Sequence, residues 1–211
     1  MALVDEYIDP FSKIALTLTA SQVAKNMIVK SEGVGEDLAF NFFAWRNGQP
    51  FLCAQMESLF MKEPHPQRFA RCYELMRILR LKLGVSSLTF IAEGYVAAKP
   101  QERELSLAFL DPASGVQECL TVIHCEENRA SRTPDIYLFS LPYEYGLGRT
   151  IRWGHLTEFS QNAINTIRSY SYPAMLHGAF KREIDEDVSY TPLSDDLISD
   201  ILEHGFLVQE F

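Results

Sequence analysis

Two apolar segments flanking an Asn-Gly pair constrain the fold of this chain more than any other feature. Residues 38–45 and 51–56 are rich in Phe, Trp and Leu, and Asn47-Gly48 lies between them. Asn and Gly adopt the positive φ angles of a type I′ turn, whose twist matches that of two antiparallel strands. The sequence therefore predicts a β-hairpin over residues 38–56.

Four further segments have strand character and are separated by short connections. They are residues 87–98, 104–110, 116–125 and 135–141. Because strands that follow one another through short turns pair antiparallel, we expect a central, mainly antiparallel sheet of five or six strands. Such a sheet commonly has one apolar face and one face in water, so its polar side chains are expected to be exposed.

Helical patterns precede, interrupt and follow these strands. Apolar residues recur at helix spacing in residues 1–36, between Pro66 and Leu83, in residues 157–170 and from Pro173 to Phe180. Ser194 precedes a fifth pattern and is followed by two acids, as in a helix N-cap. The predicted class is α+β, with the Pro66 to Leu83 helix on one face of the sheet and further helices at both termini.

The charge of the chain is concentrated at one end. The whole chain has 19 Lys and Arg against 28 Asp and Glu, a net charge of −9. Nine of these acids and none of the bases lie in residues 183–211, which leaves 19 of each in residues 1–182. We therefore expect a neutral α+β domain over 1–182 and an acidic C-terminal segment over 183–211. Because this segment ends in Phe206-Leu207-Val208, it is expected to dock on the body or on a partner.

Several function classes lack their sequence requirements. No apolar run approaches the roughly 20 residues of a membrane-spanning helix, so no membrane association is predicted. The first residues are acidic and lack the pattern of a secretory signal, which favours a cytoplasmic location. The four cysteines form no Cys-x-x-Cys pair, so neither disulfides, nor a metal, nor any cofactor is expected.

Two segments are candidate binding surfaces. The helix from Arg68 to Lys82 carries five cations on one face and is a candidate site for nucleic acid, although the acidic C-terminal segment is an equally good internal partner. The segment from Pro142 to Gly154 is predicted to be an aromatic and basic loop of the kind enriched at protein interfaces. The predicted binding residues are Arg71, Arg77, Arg80, Tyr143, Tyr145, Arg149, Arg152 and Trp153.

A catalytic role is the weaker interpretation. The candidate ligands for a divalent cation are the carboxylates of Glu93, Asp111, Glu118 and Glu126, and the candidate nucleophile is Cys125. None of them has, at a recognisable spacing, the partner residues that a metal site or a cysteine nucleophile requires. The same residues are also explained as solvent-facing acids and a buried thiol without a catalytic role.

The sequence thus favours a non-catalytic interaction or assembly protein of the structural, chaperone or inhibitor type, with a protein partner or self-association. A hydrolase acting on nucleic acid or nucleotide through Glu93, Asp111 or Cys125 is the first alternative. A nucleic-acid-binding module is the second.

Overall fold

The structure is a computed structural model that describes residues 39–97, 116–128, 130–146, 150–159, 172–181 and 191–211. At residues 95–97, 116, 145–146 and 150–153 it describes the backbone alone. Several predictions lie outside the described residues. They are the helix over 1–36, the strand over 104–110, most of the helix over 157–170, Asp111 and Arg149.

The described strands form one antiparallel sheet. They are β1 (Asn41–Arg46), β2 (Gln49–Met56), β3 (Ser87–Ala97), β4 (Val116–Glu126), β5 (Asp135–Gly146), β6 (Thr150–Trp153), β7 (Thr157–Glu158) and β8 (Phe206–Glu210). Seven lie side by side in the order β6-β5-β4-β3-β1-β2-β8, and the two-residue β7 also pairs with β5. The α+β class with an antiparallel sheet is confirmed, whereas the expected count of five or six strands is wrong.

The additional strands come from segments predicted to have other structure. In the segment 142–154, predicted to be a loop, residues 142–146 form the end of β5 and residues 150–153 form β6, because Tyr, Thr, Ile and Trp favour extended backbone. Thr157 and Glu158, predicted to start a helix, instead pair with β5 as β7. The apolar C-terminal segment supplies β8, which pairs with β2.

The hairpin at Asn47-Gly48 is confirmed. Asn47 has a φ of 52° and Gly48 a φ of 75°, and the flanking strands β1 and β2 pair antiparallel from Arg46 opposite Gln49 onward. The turn therefore joins β1 and β2, which lie next to each other between β3 and β8 in the sheet.

Helices connect and follow the strands. They are α1 (Ser58–Met61), α2 (His65–Arg77), α3 (Tyr172–Phe180) and α4 (Asp195–Glu203), and α2 continues as a π-helical turn over Ile78–Lys82. The Ser194 cap is confirmed, since its hydroxyl accepts a hydrogen bond from the Leu197 amide at 3.4 Å. No helix in the described part of the chain combines the length and apolarity needed to cross a membrane.

The central strands of the sheet have buried residues on both faces. One face, with residues such as Phe42 and Phe90, shares a single apolar cluster with the buried residues of α2, α3 and α4. The opposite face has its own cluster, which includes Phe43, Val122 and Phe139. We refer to these as the helix face and the second face.

Burial of the second face overturns the expectation of a half-exposed sheet. His124 and, on the neighbouring strand β3, Thr89 are polar side chains of the sheet, yet both are 0% exposed. The Thr89 hydroxyl lies 2.9 Å from His124 Nδ1 and accepts a hydrogen bond from Trp45 Nε1 at 3.2 Å. The Thr89 hydroxyl thus gives both the Trp45 indole N–H and His124 Nδ1 a hydrogen-bond partner, which allows these polar atoms to be buried.

This network gives a prediction for stability. Thr89→Val preserves the shape of the side chain but removes the hydroxyl that Trp45 and His124 share. We therefore expect the free energy of unfolding to fall by about 1–3 kcal/mol. Thr89→Ser keeps the hydroxyl and is the matched control. Denaturant unfolding measures both variants, and a Ser variant less stable than the Val variant would contradict the role of the hydroxyl.

Candidate functional site

The strand β8 lies at one edge of the described sheet. β8 pairs with β2 on one side only, and no strand within the described residues pairs with its other side. The side chains of Leu207 and Phe211 are 51% and 60% exposed. We refer to β8 and Phe211 together as the C-terminal edge.

Hydrogen bonding along β8 alternates between the two sides of the strand. The Phe211 amide donates to the Phe51 carbonyl at 3.3 Å, and the Glu57 amide donates to the Gly205 carbonyl at 3.0 Å. In an antiparallel ladder, hydrogen-bonded and non-hydrogen-bonded pairs alternate. Leu207 and Gln209 therefore bond to β2, whereas the backbone groups of Val208 and Glu210 point away from the sheet.

The C-terminal edge is firmly anchored from the helix face. Phe206 is fully buried and its ring contacts that of Phe42 edge to face, with centroids 5.7 Å apart. Val208 packs against the same cluster two residues later. Phe206 and Val208 face the core, whereas Leu207 and Gln209 face the opposite side and are exposed. Side chains alternate in this way along a β-strand.

A tight turn joins α4 to β8. Gly205 ends the helix with a φ of +88°, a conformation that residues with a side chain rarely adopt. A Cβ atom at this position would overlap the ring of Phe60, which packs directly against the turn. The turn therefore requires glycine both for its backbone conformation and for the approach of Phe60.

Arg71 connects α2 to this turn. Its guanidinium group makes two hydrogen bonds to the Glu63 carboxylate, at 2.7 and 2.9 Å, and a third to the carbonyl of His204 at 3.2 Å. It also lies 4.1 Å from the centre of the Phe60 ring. The hydrogen bond from Arg71 lowers the pKa of Glu63 below its ordinary value.

The lowered pKa of Glu63 predicts a pH dependence. A carboxyl group with a lowered folded-state pKa contributes stability above its unfolded pKa, and that contribution is lost as the pH falls through the folded pKa. Glu63→Gln is therefore expected to lower the melting temperature at pH 7, with the difference from the native chain disappearing in acid. Glu74→Gln, which breaks only the exposed pair with Arg77, is the control. A Glu63→Gln difference that stays constant down to acid pH would contradict the assignment.

The described part of the acidic segment, residues 191–211, forms an ion pair with the end of the basic helix. Lys82 Nζ lies 2.7 Å from Asp200 Oδ2, and the Thr191 hydroxyl contacts the carbonyl of Lys82. Arg46 reaches the Thr191 carbonyl at 3.3 Å. The sequence supports two interpretations of the basic helix equally, namely contact with the acidic segment and binding of nucleic acid. These contacts favour the first of them.

The predicted binding arginines of the helix engage groups of the protein itself. Arg80 is buried and donates to the Ala179 carbonyl at 3.2 Å, while Arg77 is exposed and forms an ion pair with Glu74 at 3.3 Å. Together with Arg71, they lie on one helix without forming a continuous row of exposed cations. Binding of nucleic acid at this helix stays a prediction.

The described parts of the aromatic and basic segment lie in the antiparallel strands β5 and β6. Tyr143 is buried on the second face, and its hydroxyl donates to Glu93 Oε1 at 3.1 Å. Tyr143 pairs with Trp153 across β5 and β6, and Arg152 and Tyr145 lie in the same two strands. Tyr143 thus packs inside the protein, and the binding roles of Tyr145, Arg152 and Trp153 stay predictions.

The described catalytic candidates are spread over the sheet. Glu93 lies on the second face, whereas Cys125 belongs to the cluster on the helix face, opposite Leu88. Glu118 and Glu126 lie at opposite ends of β4, roughly 27 Å apart at the usual rise of a strand. In the described part of the chain, no three His, Cys, Asp or Glu residues are grouped as ligands for a metal ion.

Cys125 has the environment of a structural thiol. It is completely buried, its Sγ lies 3.9 Å from the Leu176 carbonyl, and burial raises the pKa of the thiol well above its ordinary value. A nucleophilic cysteine is instead accessible and has a lowered pKa. The geometry at Cys125 therefore does not favour the cysteine-hydrolase alternative.

Comparisons with family models, curated proteins and solved structures found no match.

Sequence reasoning missed the C-terminal edge as a site. It predicts that Phe206-Leu207-Val208 docks, but not that this segment is a strand bonded to β2 on one side and paired with no described strand on the other. The alternation of residues 206–210 was the available signal, and a Gly before it marked the turn. Only the pairing with β2 shows which side faces outward.

Proposed function

We propose that this chain is a non-catalytic interaction or assembly protein whose contact surface is the C-terminal edge. The supporting observation is a strand that is anchored by a buried Phe206, exposes the side chains of Leu207 and Phe211, and has no strand of the described residues paired with its outer side. Open edges of this kind accept a strand from another chain, and proteins whose edges must stay single usually protect them with charge, proline or a covering element.

The contacts of the other candidate sites support the same choice. Arg71 and Arg80 donate hydrogen bonds to groups of the protein itself, and Cys125 is completely buried on the helix face. The four cysteines are all free thiols, which suits the cytoplasmic location proposed from the sequence. Leu207 and Phe211 remain as large apolar side chains exposed on one face of an edge strand.

Point variants test this proposal better than a deletion. Removal of residues 183–211 takes away the buried Ile201 and Phe206 and is expected to unfold the body. Replacement of both Leu207 and Phe211 by Ser keeps those anchors and changes only exposed surface. Leu156→Ser is the matched control, because Leu156 is 43% exposed and lies between β6 and β7, at the other edge of the sheet.

Two measurements on these variants decide the proposal. Light scattering gives the solution mass, and affinity capture from an extract of the source cells gives bound proteins. We expect an oligomer or a specific bound protein that the native chain and Leu156→Ser retain, with binding weakened about tenfold or more by the double variant. A monomeric native chain that retains no protein in an edge-dependent way would refute the interaction proposal.

A further inference from the structure

The two faces of the C-terminal edge differ in chemistry. On the second face, Leu207 and Phe211 are exposed, and the Phe211 ring lies 6.1 Å from that of Phe43. On the helix face, Phe206 is buried and Glu210 is exposed. A strand added to this edge would therefore have apolar neighbours on one face and an acid on the other, since adjacent strands place side chains opposite one another.

The surroundings of the edge are acidic. Residues 191–211 contain five acids and no Lys or Arg, and four of these acids are exposed. The exposed acids are Asp195, Asp196, Glu203 and Glu210. The fifth, Asp200, forms the ion pair with Lys82. Three cations contact this segment: Lys82 pairs with Asp200, Arg71 donates to the His204 carbonyl and pairs with Glu63, and Arg46 donates to the Thr191 carbonyl. The five acids and Glu63 outnumber these three cations, so the net charge of this group is negative.

We propose that the C-terminal edge binds an extended peptide segment of a partner protein in which basic and apolar residues alternate. This inference rests on the proposed function and specifies its partner. The outward backbone groups of Val208 and Glu210 pair with the peptide backbone as in strand addition. The apolar residues of the peptide then lie beside Leu207 and Phe211, and its Lys or Arg residues face Glu210 and the acids that precede β8.

Charge decides between this peptide and a second copy of the chain. A second copy pairing through β8 would bring another set of the same five acids to the contact, and juxtaposed like charges disfavour association. A basic segment meets complementary charge over the same surface. The edge therefore favours a basic partner over self-pairing.

Synthetic peptides test the proposal on the full chain. The probe is a six-residue peptide of alternating Lys and Val, long enough to cover the five residues of β8. One control peptide has Glu in place of Lys, and another has the same composition with the three Lys first. We expect the alternating Lys peptide to bind, to weaken as salt rises, and to bind about tenfold or more tightly than either control.

A proline at the edge provides the matched variant. Glu210→Pro removes an amide that points away from β2, so we expect an unchanged melting temperature and a loss of peptide binding of about tenfold or more. Glu210→Gln keeps the amide and removes only the charge, and it is expected to weaken binding by a few-fold and to reduce its salt dependence. If Glu210→Pro unfolds, Leu207→Ser replaces it as the edge variant, with the same expected loss.

The outcomes separate this inference from the proposed function. Binding of the Lys peptide that the edge variants abolish supports both. Absence of peptide binding, equal binding of the Glu peptide, or indifference to the edge variants overturns the basic-peptide proposal. A dimer held through β8 in light scattering also overturns it but leaves the interaction function standing, whereas a monomer with no edge-dependent partner refutes both.

Discussion

Phe206→Ala is expected to lower the free energy of unfolding by about 3–5 kcal/mol, the usual cost of removing a fully buried aromatic ring. Phe206 is the residue through which the C-terminal segment enters the core, where it packs against Phe42. For a domain of this size the loss corresponds to roughly 6–20 °C in melting temperature. Thermal and denaturant unfolding measure it directly.

Leu207→Ala is the matched control for this prediction. Leu207 is the next residue along β8, but it points to the other face of the sheet and is half exposed, so its truncation is expected to change stability by about 0.5 kcal/mol or less. Equal effects of the two substitutions would show that β8 does not alternate between core and solvent in the way described above.

The second large effect is expected at the turn before β8. Gly205→Ala forces a side chain into a positive φ and against Phe60, and the two penalties together are expected to cost about 2–4 kcal/mol. The variant Phe60→Leu, which makes room, is expected to reduce the cost of Gly205→Ala by about 1 kcal/mol in a double-mutant cycle. Strictly additive effects would contradict the contact with Phe60.

Gly178→Ala is the control of opposite sign. Gly178 lies within α3, and the nearest atom to an added Cβ is Tyr73 Cε2 at an ordinary 3.8 Å. Alanine at a helical position is expected to raise stability by about 0.5–1 kcal/mol. If Gly178→Ala and Gly205→Ala shift the melting temperature in the same direction, the conformational argument for Gly205 is wrong.

The predictable parts of the fold are those encoded by neighbouring residues. Asn47-Gly48 specifies its hairpin because both residues tolerate positive φ, and Ser194 specifies the start of α4 because its hydroxyl caps an amide three residues later. Tyr172–Phe180 similarly forms the short helix predicted from Pro173 onward. In each case the deciding interaction spans only a few residues.

The unpredicted parts depend on contacts between distant residues. The burial of His124 requires a covered second face, and the position of β8 requires pairing with β2 about 150 residues earlier. Helix spacing predicts that Arg71 is an exposed binding residue. It does not reveal the partners of Arg71, the Glu63 carboxylate and the His204 carbonyl, because both lie outside α2. Periodicity reports which face of an element is apolar, but not what that face meets.

The candidate site illustrates the same division. The acidic composition of residues 183–211 and the apolar Phe206-Leu207-Val208 were visible in the sequence and indicated a docking segment. The distinction between a bonded and an open side of β8 was not visible, because it depends on the register with β2. The interaction surface therefore follows from the topology of the sheet.

Amide hydrogen exchange of the free protein along β8 tests this account most directly, since it reports each backbone group separately. We predict slow exchange at Leu207 and Gln209, whose amides bond to β2, and fast exchange at Val208 and Glu210, whose amides point outward. Uniformly fast exchange would show that β8 is not held in the sheet. Uniformly slow exchange would show that its outer side is already paired, and either result would contradict an open C-terminal edge.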